Sequence, residues 1–247
     1  GYENFAFYPV DEPGLEHGKN VNRFMKWAKL VREIDPKIRI YANPVAEITM
    51  EQLEEMEPFV DIWTPMQTNI FPKEKLDFIH STKTIWWNYD PSDNAKHLSP
   101  LAYYRGQAWM SWHNGHTGIG FWTYSGGKDF WFQPKSGFEY ALTYEGKGVV
   151  TSKRWEAVRD GVEDYSLLDA LKKKANAAEE AGINEELVNK SLRLLEEKSA
   201  LITEFMKNNK PGKAGQDSAR KIADERWNTF RQTRVEIAQL LGQFNDK

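Results

Sequence analysis

Short apolar runs alternate with helix-like segments over the first half of the chain. Five runs of four to seven residues are rich in aromatic and β-branched side chains, as buried strands are. They are Phe5–Val10, Ile38–Ala42, Asp61–Thr64, Thr84–Tyr89 and Gly118–Tyr124. Between them, apolar residues recur at the three- and four-residue spacing of a helix face, as in Val21, Phe24, Ala28 and Val31, in Leu53, Met56 and Val60, and in the shorter pair Leu76 and Ile79. This alternation predicts βα units around a parallel sheet.

Four of the five predicted strands run into an Xaa-Pro step: Glu12-Pro13, Asn43-Pro44, Thr64-Pro65 and Asp90-Pro91. Proline keeps the preceding residue extended and cannot donate to a ladder, so each strand ends at a fixed edge. In (β/α) barrels the carboxyl-terminal edge is where active sites lie. The steps favour a shared functional rim, although Xaa-Pro also terminates strands in any α/β fold.

The pattern becomes purely helical from about Thr151. Ser152 can cap a helix whose apolar positions are Trp155, Val158, Val162, Tyr165, Leu168 and Leu171. A seven-residue repeat through Leu187, Leu194 and Leu201 suits helix-on-helix packing, and Asp217 opens a last helix. We predict a barrel portion over residues 1–175 and a helical extension with a structural role over residues 176–247.

The predicted fold class is α/β, in the form of the C-terminal five βα units of a (β/α)8 barrel. Five strands do not close such a barrel, and an open half-barrel leaves an unpaired strand edge. The chain starts abruptly at Gly1, without Met or a signal peptide, as after a clone boundary, processing or proteolysis. We therefore expect the first strand to pair with a missing N-terminal segment or with another subunit.

Composition narrows the class of function. The 33 Lys and Arg against 36 Asp and Glu give a net charge of −3, which carries no signature of nucleic-acid or membrane binding. The absence of cysteine excludes disulfides, thiolate metal sites and a Cys nucleophile. The chain holds 10 Trp, 10 Tyr and 13 Phe, which indicates a core or a cleft built from flat rings, and such rings commonly stack on sugars.

Asp11 and Glu12 are the sharpest candidates for chemistry, because they follow an apolar strand directly. Two adjacent, partly buried carboxylates disfavour each other's ionisation, and such a pair can keep one carboxyl protonated as a general acid. A helix cap or a structural salt bridge would explain the pair equally well. Asp90, at another strand end, is either a second catalytic carboxylate, as in two-carboxylate retaining glycosidases, or an Asp-Pro turn initiator.

Further side chains at the strand ends are candidates for contact with a bound sugar, although core packing is the more frequent role of any single ring. They are Tyr41, Asn43, Trp63, Trp87, Tyr89, Asp90, Trp122 and Tyr124. Trp86 alternates with Trp87 and should point into helix packing. His113 and His116 lack a third ligand in pattern, so we expect no metal, and nothing in the sequence implies a cofactor.

Four segments together resemble the catalytic region of glycoside hydrolase family 123 and related bacterial proteins, over roughly residues 4–170. They are Tyr8–Pro13, Tyr103–Trp109, Gly118–Trp122 and, most specific, Ser152–Tyr165, whose charges suit a structural network around its helix. The resemblance implies a (β/α)8 barrel that removes β-linked N-acetylgalactosamine with retention, assisted by the substrate's own 2-acetamido oxygen.

The resemblance also implies residue roles: Glu12 as acid/base, and Asp11 as the group that orients and polarises the acetamido group. It implies an extracellular or periplasmic protein that needs no separate carboxylate nucleophile. The alternatives are a carbohydrate-binding or scaffold barrel without catalysis, and a two-carboxylate glycosidase that uses Glu12 and Asp90. Because half a barrel leaves Glu12 unshielded, we expect residues 1–247 alone to have little or no hydrolase activity.

Overall fold

The computed structural model describes residues 5–15, 18–66, 71–82, 84–89, 100–121, 124, 142–144, 146–207 and 216–245. Contacts divide the chain into two compact units. One unit comprises Gly1–Pro91 with His116–Phe121, and the other Ser92–Gly115 with Trp122–Lys247. A helix runs continuously through residue 175, and the domain boundary that we predict there stays a prediction.

The first unit is built on a curled, parallel, five-stranded sheet that forms half a barrel. Its strands are β1 (Ala6–Phe7), β2 (Arg39–Ala42), β3 (Ile62–Trp63), β4 (Ile85–Tyr89) and β5 (Gly118–Gly120). Their order in the sheet is their order in the chain, and every neighbouring pair is parallel. The predicted α/β class and the five parallel strands are confirmed, with strands shorter than their apolar runs.

Three helices cover one face of this sheet: α1 (Lys19–Ile34), α2 (Met50–Met56) and α3 (Lys73–Ser81). Their predicted apolar positions pack with Ile40, Ala42, Trp63 and Trp86 of the strands, and all of them are buried except Leu76, which is partly buried. Thr49 begins α2 with a capping box, in which its hydroxyl accepts from the N–H of Gln52 and the Gln52 side chain accepts from the N–H of Thr49. The period of three to four residues therefore identified the helix faces of this unit correctly.

The second unit is mainly helical. Its helices are α4 (Pro100–His113), α5 (Lys153–Glu180), α6 (Glu185–Lys207) and α7 (Gln216–Asn245), and an antiparallel pair, β6 (Thr143–Tyr144) and β7 (Val150–Thr151), precedes α5. Ser152 caps α5 as predicted, since its hydroxyl accepts from the N–H groups of Arg154 and Trp155. None of the helices among the described residues is long and apolar enough to cross a membrane.

The buried face of α5 agrees with the prediction at Leu168 and Leu171 and differs from it in the first half of the helix. Val162, expected on the apolar face, is 49% exposed, and the buried positions include Ala157, Gly161 and Asp164. The shift has a physical cause: Asp164 accepts from Arg105 at 2.6 and 3.0 Å and from the indole N–H of Trp109 at 2.9 Å. A small residue and a compensated ion pair thus face α4 in place of a large apolar side chain.

Arg234 of α7 extends this ion pair. Its guanidinium donates to Glu163 at 2.7 Å and to Asp164 at 3.3 Å, while the Arg105 guanidinium lies 5.0 Å from the ring of Trp227. Two arginines compensate the buried Asp164 carboxylate, which would otherwise be costly to bury. The charged segment Ser152–Tyr165 therefore ties α5 to α4 and α7.

Gly161 permits the close approach of α4 and α5. A Cβ added there would lie 2.6 Å from the carbonyl oxygen of Arg105, too close for any side chain. We expect Gly161→Ala to lower the free energy of unfolding by about 1–3 kcal/mol, because the helices must separate. Urea unfolding followed by circular dichroism measures the change.

Gly242 of α7 is the matched control, because a Cβ there meets nothing within 4 Å. Gly242→Ala should raise the free energy of unfolding by up to about 1 kcal/mol, since alanine favours a helix over glycine. Equal effects of the two substitutions would contradict the packing argument.

Candidate active site

The chain turns sharply where β1 ends, and this turn presents both candidate carboxylates. Glu12 has a φ of 49°, in the left-handed region that non-glycine residues rarely adopt, and Gly14 follows with a φ of 109°. A Cβ at Gly14 would lie 2.9 Å from Ile48, so the turn packs tightly against the loop before α2. Strained backbone of this kind clusters at functional sites.

Asn43, at the end of β2, holds the turn in place. Its Oδ1 accepts from the N–H of Glu12 at 3.1 Å, and its Nδ2 donates to the Asp11 carboxylate at 3.3 Å. The hydroxyl of Tyr8 donates to the same carboxylate and lies 2.8 Å from Asn43 Oδ1. Tyr8, Asp11 and Asn43 therefore form one hydrogen-bonded network beside Glu12.

The environment raises the pKa of two acidic groups of this cluster. Partial burial, then the neighbouring carboxylates of Asp11 and Glu47, raise the pKa of Glu12 above its usual value. Burial and the hydrogen bond to Asp11 raise the pKa of Tyr8 far above its usual value. Tyr8 is thus held as a neutral donor, and Glu12 retains its proton to a higher pH than an ordinary glutamate.

Aromatic rings line the sheet face opposite to helices α1–α3, next to the network. Tyr8 and Tyr41 meet edge to face with centroids 5.1 Å apart, and Trp87 follows at 6.0 Å from Tyr41. Gly118 makes room for this wall, since a Cβ there would lie 2.6 Å from the indole of Trp87. The structure therefore brings Tyr41, Asn43 and Trp87 together with the carboxylate pair.

Trp63 does not belong to this wall, and its prediction as a sugar-binding residue is wrong for this structure. It pairs in register with Trp86 and Ala42, lies on the helix-covered face, and is fully buried in the core. Neighbours in register share a face of the sheet, so Trp63 follows Trp86 into helix packing. The prediction for Trp86 itself is confirmed.

The other predicted sugar-binding residues lie in different places. Tyr89 lies on the same face as Trp87, two residues along β4, close to Gly120. Tyr124 belongs to the helical unit, where its ring meets Trp155 edge to face at 5.7 Å. Asp90 and Trp122 lie outside the described residues, and their roles stay predictions.

Sequence reasoning missed two members of the cluster, Tyr8 as a partner of Asp11 and Asn20 of α1, whose Nδ2 donates to the Asp11 carbonyl at 3.2 Å. Tyr8 lies within the quoted motif Tyr8–Pro13, three residues before Asp11, and its polar hydroxyl on an otherwise apolar strand was the available signal. Nothing in the sequence pattern marked Asn20.

His113 and His116 serve structural contacts. The ring of His113 is 2.9 Å from the Ser199 hydroxyl, and His116 packs against Trp86 with centroids 4.2 Å apart. Within the described part of the chain, no group of three His, Asp or Glu side chains could hold a metal ion.

No protein-family model matches the chain, and no curated protein matches it. The geometry of the network is therefore the main support for a function.

Burial of His116 makes the sheet unit sensitive to acid. Burial, then the nearby His80, lower the pKa of His116 from 6.5 to about 3. Between these values the unfolded chain binds a proton that the folded chain does not, so stability falls as the pH drops from 6.5 towards 3. One such group contributes at most about 1.4 kcal/mol per pH unit.

Urea unfolding at several pH values between 7 and 4 should show a shallower loss of stability in His116→Asn than in the unchanged protein. Thr117→Ser, an exposed neighbour without a titrating group, should keep the original slope. Identical slopes in all three proteins would rule out His116 as the source.

Proposed function

We propose that this chain carries the carboxylate pair of a retaining exo-β-N-acetylhexosaminidase, on the C-terminal five βα units of a (β/α)8 barrel. The observation that carries the proposal is the Tyr8–Asp11–Asn43 network beside a strained Glu12 with a raised pKa. The pair lies at the carboxyl-terminal edge of parallel strands, where barrel enzymes place their catalytic groups. The resemblance to glycoside hydrolase family 123 supports the same reaction and an extracellular or periplasmic location.

In the proposed reaction, Glu12 donates its proton to the glycosidic oxygen as the bond from that oxygen to C1 breaks. The carbonyl oxygen of the substrate's 2-acetamido group attacks C1 and forms a cyclic intermediate. Water then adds at C1, gives a proton to the Glu12 carboxylate, and regenerates the acetamido group with retained configuration. A raised pKa suits Glu12 to the first step, since the acid must hold its proton near neutral pH.

Asp11 orients the acetamido group in this reaction. Tyr8 and Asn43 both donate to its carboxylate, which fixes its direction and leaves lone pairs that can accept the acetamido N–H. The wall formed by Tyr41 and Trp87 offers ring faces on which the apolar side of a pyranose can stack. A preorganised acceptor costs no reorientation when the reaction occurs.

Replacement of the acid should affect substrates according to their leaving groups. We expect Glu12→Gln in the complete gene product to lower kcat about 10²- to 10⁴-fold on a β-N-acetylgalactosaminyl disaccharide. An aryl glycoside with a strongly acidic phenol needs little protonation and should lose less. Product release by chromatography and by phenol absorbance measures the two rates.

Glu55→Gln, at an exposed carboxylate of α2, is the matched control and should keep both rates. Binding of the sugar without turnover by the unchanged protein would favour a carbohydrate-binding scaffold. Cleavage of sugars that lack a 2-acetamido group, together with loss of activity in Asp90→Ala, would favour the two-carboxylate mechanism.

Asn43 should act through Asp11 and Glu12. We expect Asn43→Ala to lower kcat about tenfold or more with little change in KM, because the carboxylates lose their orientation while the aromatic wall remains. Asn43→Asp keeps the acceptor oxygen but adds a negative charge, which should move the alkaline limb of kcat/KM to higher pH by raising the pKa of the acid. An unchanged pH profile would contradict this positioning role.

A further inference from the structure

One peptide group joins the two candidate carboxylates, and two asparagine side chains hold it at both ends. Its carbonyl, which belongs to Asp11, accepts from Asn20 Nδ2 at 3.2 Å. Its N–H, which belongs to Glu12, donates to Asn43 Oδ1 at 3.1 Å. The C=O and N–H of a trans peptide point in opposite directions, so the two amides grip one planar unit from opposite sides. Its orientation is therefore fixed by α1 on one side and by the end of β2 on the other.

Further contacts fix the direction of each asparagine amide. Asn43 is buried, and its Nδ2 donates to the Asp11 carboxylate at 3.3 Å. Asn20 lies in the first turn of α1, and its Oδ1 accepts from the Arg23 guanidinium at 3.5 Å. If either amide turned over, it would set like groups against each other at both of its ends. The oxygen of Asn43 and the nitrogen of Asn20 are thus the atoms held towards the peptide.

The orientation that the amides grip is the strained one. Glu12 has a φ of 49°, whereas a residue before a proline, here Pro13, favours extended backbone. Rotation of the peptide by half a turn would change the φ of Glu12 by about 180°, to about −130°, which lies in the broad extended region. The local sequence thus favours the rotated peptide. The two amides oppose it, because after rotation the carbonyl would face Asn43 Oδ1 and the N–H would face Asn20 Nδ2.

The backbone that follows Glu12 is tied down by the turn and by the loop after β2. The N–H of Leu15 donates to the Glu12 carbonyl at 3.2 Å, and the N–H of Val45 donates to the Pro13 carbonyl at 3.0 Å. Strain at Glu12 can therefore be relieved by rotation of the peptide before it, with little movement of the turn after it.

Rotation of this peptide would disturb the candidate site through Asn43. The Asp11 carbonyl oxygen would meet the oxygen of the Asn43 amide, and two acceptors repel each other. The same amide donates to the Asp11 carboxylate. An Asn43 side chain displaced by the carbonyl would no longer orient that carboxylate.

We propose that Asn20 is a positioning residue of the carboxylate pair: by holding the Asp11 carbonyl, it keeps the peptide in the orientation in which the Glu12 N–H meets Asn43. It acts on the carboxylates through the backbone and through Asn43. The effect on catalysis rests on the proposed function, whereas the hold on the peptide does not.

The conformation of Glu12 tests the hold on the peptide. Asn20→Ala removes the donor, and Asn22→Ala, at an exposed asparagine of the same helical turn, is the matched control. In isotope-labelled protein, the NOE between the N–H and the Hα of Glu12 is strong at positive φ and weak in extended backbone, because the two protons are closer at positive φ. We expect Asn20→Ala to weaken this NOE and to speed hydrogen exchange of the Glu12 N–H about tenfold or more. Asn22→Ala should change neither.

Turnover by the complete gene product tests the effect on catalysis. Asn20→Ala should lower kcat about tenfold with little change in KM, because a misplaced group slows the reaction without weakening the binding of the sugar. In the Asn43→Ala background the same substitution should lower kcat less than about threefold, since Asn20 acts through Asn43. Independent contributions would instead multiply in full.

An unchanged NOE and exchange rate in Asn20→Ala would overturn the proposal, as would a full further loss of kcat in the Asn43→Ala background. If Asn20→Ala does not fold, Asn20→Asp replaces it, because an acidic residue suits the first turn of a helix and sets an acceptor against the carbonyl. A weakened NOE together with no turnover of any glycoside by the unchanged protein would contradict the proposed function and leave the hold on the peptide standing.

Discussion

The side chain of Asn43 joins the ends of two neighbouring parallel strands, and the geometry of the candidate site depends on it. The oxygen of this amide accepts from the N–H of Glu12, and its nitrogen donates to the Asp11 carboxylate. Parallel pairing of β1 with β2 places the two strand ends at the same edge, so that an amide on one can reach the turn on the other. The left-handed conformation of Glu12 persists because hydrogen bonds and packing around the turn hold it there.

The alternation of the strands separates the core from the candidate site. Ala42, Trp63 and Trp86 fall on the helix-covered face and are buried, while Tyr41 and Trp87 fall on the other face beside Tyr8. Gly118 lacks the side chain that would displace the ring of Trp87. Burial of apolar surface on one face can therefore stabilise the sheet without filling the other face, where a ligand would lie.

The periodicity of apolar residues predicted those features of the fold that depend on residues close together in the sequence. The buried face of α1, the cap at Ser152 and the five parallel strands all follow from local patterns, and the structure confirms them. Trp63 was assigned to the wrong face because its direction depends on the register with Trp86, which no local pattern encodes. The pairing of Asn43 with Asp11 spans 32 residues and was likewise out of reach, although both residues were identified separately.

The prediction of the buried face in the first half of α5 was wrong for a related reason. Hydrophobicity alone favoured Val162, whereas the contact with α4 requires a glycine and a carboxylate that meets a distant arginine. A search for apolar periodicity does not identify small or charged residues as buried. They become predictable only when the partner helix is known.

Asp164 and the Asp11–Glu12 pair differ in whether positive charges compensate their carboxylates. Asp164 is almost fully buried and accepts from two arginines and an indole, an arrangement that suits a structural role. Asp11 and Glu12 form no ion pair with any Lys or Arg among the described residues. The Asp11 carboxylate accepts from the neutral donors Tyr8 and Asn43, and the N–H of Glu12 donates to Asn43. A nearby cation would lower the pKa of Glu12, whereas burial and neighbouring carboxylates raise it. Arginines therefore compensate the charge of Asp164, which holds helices together, whereas no described cation pairs with Glu12, which is proposed to transfer a proton.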